Sequence, residues 1–218
     1  MLALRTLTWA YIITGGQQYA TKGRTFLRAW ARTYIPTGND VNENKLNICF
    51  YAFHVFGYSF TTSERVEIAR WLEPIGSLHI KLWHDKAHGN RAAKRVKLVL
   101  LTSYVLHRTD WQQWAKDKML LLIKGSLNPD GTSKDLHARD AMHYRLSCIK
   151  AMMETSLIGQ VLGMDFYSLE TINSASIRKS VSLGICLWLY PSFPISCPFK
   201  VLLIHIPRPA RHYSRFRI

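Results

Sequence analysis

The chain has 218 residues, 48% of them hydrophobic, so it is long and apolar enough for a folded domain and is not a disordered segment. Lys and Arg number 29 against 14 Asp and Glu, a formal net charge of +15. This charge favours polyanionic partners but does not distinguish nucleic acid, anionic membrane and acidic polysaccharide.

The N-terminal apolar stretch does not fit a secretion signal. It runs only from Leu7 to Ile13, contains Thr and Tyr, and meets Gly15-Gly16 with no small-residue cleavage site. No run of about eighteen apolar residues follows it anywhere in the chain, so no membrane-spanning helix is predicted.

Helix-length segments separated by turn formers fill the first 182 residues. Pro74-Ile75-Gly76 and Asn128-Pro129-Asp130-Gly131 are the clearest breaks, and Thr62-Ser63-Glu64 predicts a helix N-cap. Short connections between successive helices predict an all-α fold of antiparallel hairpins. The predicted helices lie near 2–14, 18–33, 44–58, 63–73, 77–84, 90–107, 110–124 and 138–163.

The last of these helices has the clearest pattern. Apolar side chains recur along it at three- and four-residue steps, which predicts a stripe facing the core. Polar side chains fall on another face. The apolar set is Met142, Leu146, Ile149, Met153, Leu157 and Val161, and the polar set is Arg139, His143, Ser147, Lys150 and Glu154.

Residues 183–218 differ from the rest, because no acidic residue follows Glu170 and the helical period is lost. We therefore divide the chain into a helical domain, 1–182, and an atypical basic, apolar and Pro-containing tail, 183–218. A poorly packed tail is the simplest interpretation. A membrane-binding or nucleic-acid-binding tail, or translation past a frameshift or intron boundary, are the alternatives.

The cysteines and histidines do not predict a metal site. The four cysteines are scattered and none forms a C-x-x-C pair, so we predict that they are small buried hydrophobic side chains. His84 and His88 have the spacing of two ligands on one helix face, but Gly89 and a predicted turn interrupt that helix. Loop histidines are the simpler interpretation, and we expect no metal and no cofactor.

Several segments, in this order, resemble the alginate lyase family of helical enzymes with an α/α-toroid fold. The most specific pair resembles the family's Pro-Asp-Gly turn and its Arg-Asp-Ala-Leu-x-Tyr helix start. A further segment lies where family members carry an Asn-Asn-His or Asn-Asn-Trp motif. The segments are GGQQYATKG at 15–23, LRAWA at 27–31, TGNDVNE at 37–43, HGNRAAKRVKL at 88–98, LNPDGTS at 127–133 and RDAMHY at 139–144.

The resemblance implies an incomplete α/α toroid that cleaves alginate or a related polyuronate by β-elimination. Family domains continue further and begin after a secretion signal, so it also implies a truncated domain and a secreted or periplasmic origin. Some members carry a catalytic tyrosine where this chain has Ser147. A degenerate fragment that binds acidic polysaccharide without turnover is therefore the alternative.

Elimination from a uronate needs a group that neutralises the carboxylate, a base for the C5 proton and an acid for the departing O4. Arg139, His143 and Tyr144 supply these chemistries at the start of one predicted helix, and we predict them as catalytic. Core packing is the alternative for Tyr144. For Arg139 the alternative is a surface charge paired with Asp135, four residues earlier.

Asn90 begins another predicted helix, where backbone donors and the helix dipole favour an anion. It is a candidate carboxylate ligand, or alternatively an N-cap. We predict a substrate-binding group of His88, Asn90, Arg91, Lys94 and Arg95, against the alternative of a solvated basic face. The side chains of Asn90, Arg139 and His143 are predicted to converge on one sugar residue.

Aromatic residues are candidate platforms for sugar rings, and Trp30, Trp83 and Tyr34 are the ones considered, with core packing as the alternative for each. Acidic polysaccharide is the predicted partner. Nucleic acid is not, because the sequence carries no helix-turn-helix signature and no basic-region heptad.

Overall fold

A computed structural model of the protein describes residues 1–84, 86–139 and 142–189, with the side chains at 137–139 and 186–189 excepted. Helices dominate these ranges, which contain no strand, only an isolated bridge between Leu127 and Ser133. The all-α prediction is therefore confirmed. The helices are α1 (Leu2–Thr14), α2 (Gln17–Thr33), α3 (Asp40–Glu43), α4 (Asn47–Val55), α5 (Thr62–Lys81), α6 (Gly89–Leu106), α7 (Thr109–Ser126), α8 (Lys134–Arg139), α9 (Met142–Val161) and α10 (Ile177–Leu189).

The long helices form two rows. Helices α1, α4, α6 and α9 pack side by side in what we call the front row, and α2, α5 and α7 form the back row. The chain alternates between the rows through short loops, so helices of one row run parallel to each other. The N-termini of α4, α6 and α9 therefore gather at one end, the N-terminal rim. This layered arc is the incomplete α/α toroid that the sequence predicted.

Helix α6 lies at the centre of this arc, packed against α4, α5, α7 and α9. A helix that is apolar around most of its circumference is buried on several sides, and α6 has this pattern after its first turn. Its buried hydrophobic residues are Ala92, Ala93, Val96, Leu98, Val99, Leu100 and Leu101.

Helix α5 corrects the predicted break at Pro74-Ile75-Gly76. It is continuous from Thr62 to Lys81 with Pro74 inside it, and its N-cap is Thr61, which forms a capping box with Glu64. Gly76 does not stop the helix. A Cβ there would lie 2.4 Å from Cζ3 of Trp111, so glycine is required for α5 to approach α7.

Helix α9 corrects two further predictions. It begins at Met142 rather than near 138, after the separate short helix α8, and residues 140 and 141 lie outside the described ranges. The apolar stripe predicted to face the core is largely exposed: Leu146, Leu157 and Val161 are 54%, 60% and 69% exposed. Only Ile149 of that stripe is buried.

The buried side of α9 is built from smaller and more polar residues instead. Cys148, Ala151, Met152 and Thr155 are among its buried side chains, and they allow close packing on α6. The exposed stripe lies along the last described helix of the front row. Periodicity identifies the stripes of a helix, but it does not identify which of them meets a neighbour.

Arg145 of α9 joins three parts of the chain. It has no exposed surface, and its Nη2 donates to the carbonyl oxygens of Gly131, at 3.1 Å, and Ser180, at 2.9 Å. Burial lowers the pKa of this guanidinium, and nearby Asp130 opposes the shift. The turn at 128–131 is thereby held against α9 and α10.

Helix α10 runs past the domain boundary predicted at residue 182, and Leu183 within it is buried. The remainder of the predicted tail, residues 190–218, lies outside the described ranges. The division of the chain at residue 182 stays a prediction.

The contact of Gly76 with Trp111 can be tested with alanine. We expect Gly76→Ala to lower the free energy of unfolding by roughly 1–3 kcal/mol, because the added methyl group overpacks the α5–α7 contact. Gly125→Ala in α7 is the matched control, since its Cβ would lie at an ordinary 3.6 Å from His88 Cβ. It should raise the unfolding free energy by up to about 1 kcal/mol. Urea denaturation measures both, and equal effects would contradict the packing role of Gly76.

Candidate functional site

A cavity of about 220 Å³ opens at the N-terminal rim, between the loop after α5 and the first turns of α6. Three residues of the predicted substrate-binding group, His88, Arg91 and Arg95, line it. The other lining residues are Leu82, His84, Lys86, Ala87 and Ala92. We call it the rim cavity.

A larger cavity of about 290 Å³ lies on the back row, lined by Arg24, Arg28 and Arg32 of α2. These arginines already pair with carboxylates of α5: Arg28 with Glu64 at 2.8 Å and Arg32 with Glu67 at 2.5 Å. Arg24 also contacts Glu64. These ion pairs hold α2 against α5. The rim cavity is the better candidate for a site despite its smaller volume, because it lies at the N-terminus of α6, where backbone N–H groups and the helix dipole favour anions.

Asp40 fixes the two arginines of the rim cavity. Arg91 donates to its carboxylate through Nε, at 3.1 Å, and through Nη2, at 2.8 Å, and Arg95 Nη2 lies 3.4 Å away. Asp40 has no exposed surface. Burial would raise the pKa of this carboxyl, but the hydrogen bonds and charge of Arg91, with the charge of Arg95, outweigh burial and lower it.

The helix that carries Asp40 is itself held from several sides. Asn39 caps α3, and Glu43 accepts from the backbone N–H groups of Thr37, at 2.6 Å, and Gly38, at 2.9 Å. His79 Nε2 of α5 lies 2.9 Å from Glu43 Oε2, with both side chains fully buried. The two atoms approach each other without the alignment of a hydrogen bond.

These contacts outweigh the effect of burial on Glu43. Burial would raise the pKa of its carboxyl, but His79 and the Thr37 and Gly38 N–H groups lower it. The result is a rigid connection from α5 through α3 to the arginines of α6.

Helix α6 begins at Gly89, beside residues from two other segments. Gly89 has a φ of 71°, and a Cβ there would lie 3.0 Å from Oδ2 of Asp135 in α8. Its N–H donates to Ser126 Oγ at 2.9 Å. His88 is the N-cap residue, so the alternative that Asn90 caps the helix is wrong. Asn90 stands inside the first turn, where N–H groups and the helix dipole favour anions.

A buried ion pair sets the register of α6 against α9. Lys97 Nζ lies 2.5 Å from Glu154 Oε2, and Lys97 is only 2% exposed. Burial lowers the pKa of Lys97, Glu154 opposes the shift, and nearby Lys150 and Lys94 add to it.

The pair joins residues 57 apart on two parallel helices. The N-terminal parts of α6 and α9 therefore lie side by side, and His143 is in the first turn of α9. Asn90, Lys94 and Lys97 share one face of α6, and Glu154, which pairs with Lys97, shares a face of α9 with His143, Ser147 and Lys150.

The predicted catalytic residues lie close to the contact between α6 and α9, and they differ in exposure. His143 is exposed, Tyr144 is half-buried, and their ring centroids are 4.0 Å apart. The side chain of Arg139 lies outside the description, although its backbone ends α8, the helix that places Asp135 beside Gly89. The Asp135–Arg139 pair and the convergence of Asn90, Arg139 and His143 therefore stay predictions.

The aromatic residues considered as sugar platforms are packed in the fold. Trp83 meets Trp114 edge to face at 5.5 Å, and Trp30 and Tyr34 pack against each other at 6.1 Å. The Tyr34 hydroxyl lies 3.3 Å from Glu43. All three are half-buried, so they pack in the molecule as their alternative interpretation predicted.

The sequence did not point to the aromatic residues that the front row exposes. Tyr104 of α6 and His54 of α4 lie 3.3 Å apart through their polar atoms, and Tyr51 is 38% exposed. Burial and the nearby Glu154 raise the pKa of Tyr51, while burial and His107 lower the pKa of His54. The three-residue spacing of Tyr51 and His54, which places both on one face of α4, was the available signal.

The histidines considered for a metal do not share a helix, because His84 lies in the loop and α6 starts after His88. No group of three or more His, Cys, Asp or Glu side chains suited to a metal occurs in the described part of the chain. Its helices also include none with the length and apolar character needed to span a bilayer.

Comparison with known proteins agrees with this architecture. A family model described as alginate lyase matches residues 2–185. The crystal structure of an alginate lyase from Bacteroides ovatus is similar, with a TM-score of 0.70 and 18% identity over 84% of this chain and 56% of that one. No curated protein sequence matches.

Two structures of variants of alginate lyase A1-III, each complexed with a tetrasaccharide, are also similar. Their TM-scores are 0.73 and 0.74, at 16% and 15% identity over 87% of this chain. The chain spans 58% and 59% of their lengths. At such identities the likeness shows a shared fold.

The Lys97–Glu154 pair gives a test of how α6 and α9 are held together. Glu154→Gln should lower the free energy of unfolding by about 2 kcal/mol, because it leaves a buried ammonium without its carboxylate. The double variant Lys97→Met/Glu154→Gln should recover most of that loss, since it removes the buried charge as well. Lys150→Met, on the exposed part of the same face, is the control. If Glu154→Gln were as stable as the wild type in urea denaturation, the pair would not hold the register.

Proposed function

Because the chain belongs to the alginate lyase family, we propose that it cleaves alginate or a related polyuronate by β-elimination at the rim cavity. The observation that carries the proposal is the arrangement at the start of α6. Arg91, held by Asp40, and Asn90 stand there beside the helix N-terminus, next to the segment that carries the candidate catalytic residues.

Carboxylate binding is the first requirement of this reaction, and the rim suits it. Arg91 and Arg95 provide charge-assisted donors, and Asn90 adds an amide beside the N–H groups of the first turn of α6. Lys94 and His88 extend the basic surface on either side. Neutralising the sugar carboxylate lets the negative charge that develops at C5 spread into it during proton removal.

Proton transfer is the second requirement, and His143 and Tyr144 are the candidates. The base takes the C5 proton, the C4–O4 bond breaks with its electron pair leaving on O4, and the acid returns a proton to that oxygen. The product carries a double bond between C4 and C5. Arg139 is proposed to stabilise the charge on the carboxylate while this happens.

The alternative is a chain that binds acidic polysaccharide without cleaving it. Ser147 favours this alternative, because it stands at a position where some family members have a catalytic tyrosine. A serine hydroxyl is a far weaker acid than a tyrosine hydroxyl. The acidic polysaccharide is the proposed partner in both cases, and nucleic acid is not.

The test is ultraviolet absorbance of the unsaturated product after incubation with alginate and with other polyuronates. Arg139→Ala should lower kcat/KM by roughly 10²–10³-fold, because it removes a charged donor that acts in the transition state. His143→Ala and Tyr144→Phe separate the two proton-transfer roles, since Phe keeps the ring and loses the hydroxyl. Arg178→Ala, in α10, is the control.

Absence of product from every polymer, together with measurable binding of a uronate oligosaccharide, would leave only the non-catalytic alternative. Absence of both would contradict the proposed function.

A further inference from the structure

Asp40 is an unusual component of a site meant for anions, because it places a negative charge against two of the site's cations. Its carboxylate is fully buried, yet the Arg91 side chain that it binds is 66% exposed. The buried carboxylate needs a cationic partner, and the largely buried Arg95 is one, so the exposed Arg91 is a second partner at the surface. The contact therefore has a consequence for the exposed end of Arg91.

The geometry shows which end that is. Asp40 takes the Nε and Nη2 side of the Arg91 guanidinium. Nη1 takes no part in this contact, so the outer edge of the planar fork stays available for a second carboxylate. Arg95 is turned inward instead, with Nη1 donating to the Leu82 carbonyl oxygen at 3.1 Å and a side chain only 16% exposed.

The charges give the second step. Two guanidinium groups and one carboxylate leave a single net positive charge in this triad. Asp40 stays ionised near neutral pH, because its pKa is lowered. The negative charge of one sugar carboxylate neutralises the net positive charge of the triad. A sulfated or phosphorylated polymer brings more than one negative charge to the same place, and the excess is repelled by the Asp40 carboxylate.

We propose that Asp40 is a positioning and specificity-determining residue: it aims the outer edge of Arg91 at a single uronate carboxylate and disfavours more densely charged polyanions. The inference rests on the proposed function in so far as the preferred ligand is a uronate. It gives a basic chain a means of selecting among the polyanions that its net charge attracts.

The experiment compares Asp40→Asn with Asp110→Asn. Asp110 is a matched control, because it also binds an arginine side-on, Arg108, at 3.0 and 2.8 Å, and its loss changes the net charge equally. It is 61% exposed and lies at the first turn of α7, at the opposite rim. Dissociation constants are measured for an alginate tetrasaccharide and for dextran sulfate over a range of salt concentrations.

We expect Asp40→Asn to bind dextran sulfate about tenfold more tightly than Asp110→Asn at low salt, with a steeper salt dependence. The Asp40→Asn variant should gain little affinity for the tetrasaccharide or lose some, because the carboxylate that orients the Arg91 guanidinium is gone. A residue with only a structural role would weaken both ligands together. If the ratio of the dissociation constants for dextran sulfate and the tetrasaccharide were the same in the two variants, the inference would be overturned.

Arg91→Gln keeps the inference testable if Asp40→Asn does not fold. Arg95 Nη2 still lies 3.4 Å from the Asp40 carboxylate, so the buried charge keeps a cation beside it when Arg91 is replaced. The remaining Arg95 and Asp40 charges then cancel, and tetrasaccharide affinity should fall several-fold with a shallower salt dependence. Unchanged affinity would contradict the role given to the triad. If the wild type does not bind the tetrasaccharide, the proposed function fails, and the dextran sulfate comparison still decides the inference.

Discussion

The position of helix α6 is the constraint on which the rest of this structure depends. It packs against five other helices, α3, α4, α5, α7 and α9, and it carries Asn90, Arg91 and Arg95 on its first turns. Since its middle is buried on nearly every side, α6 cannot rotate without exposing apolar surface or overpacking a neighbour. The candidate site therefore stands on the most confined helix of the arc, which suits chemistry that requires fixed donors.

Apolar packing and buried polar contacts contribute differently to this confinement. Packing fixes where the helices lie, but similar packing energies are available at neighbouring registers. Buried polar groups choose among those registers, because a carboxylate or ammonium that loses its partner inside the protein is strongly unfavourable. Lys97 with Glu154 sets α6 against α9, and Asp40 with Arg91 sets α3 against α6. The same contacts thus specify the fold and orient the site.

The sequence predicted features with local causes. Turn formers such as Asn128-Pro129-Asp130-Gly131 separate helices as expected, and the helical period gave the all-α class. Sequence-based prediction failed where the cause lies far along the chain. Gly76 is required by its contact with Trp111, and contact with α6 determines which face of α9 is buried, rather than the apolar stripe of α9 itself. Three rim residues were found from their chemistry, but nothing local links Asp40 with Arg91, 51 residues away.

The central claim is that one uronate carboxylate binds at the N-terminal rim. A crystal structure of the chain with an alginate tetrasaccharide tests it most directly. The account predicts a sugar carboxylate against the outer edge of Arg91 and near Asn90, with the C5 hydrogen of that sugar turned towards His143 and Tyr144. A tetrasaccharide bound along Arg24, Arg28 and Arg32 on the back row, with no sugar at the rim, would contradict it.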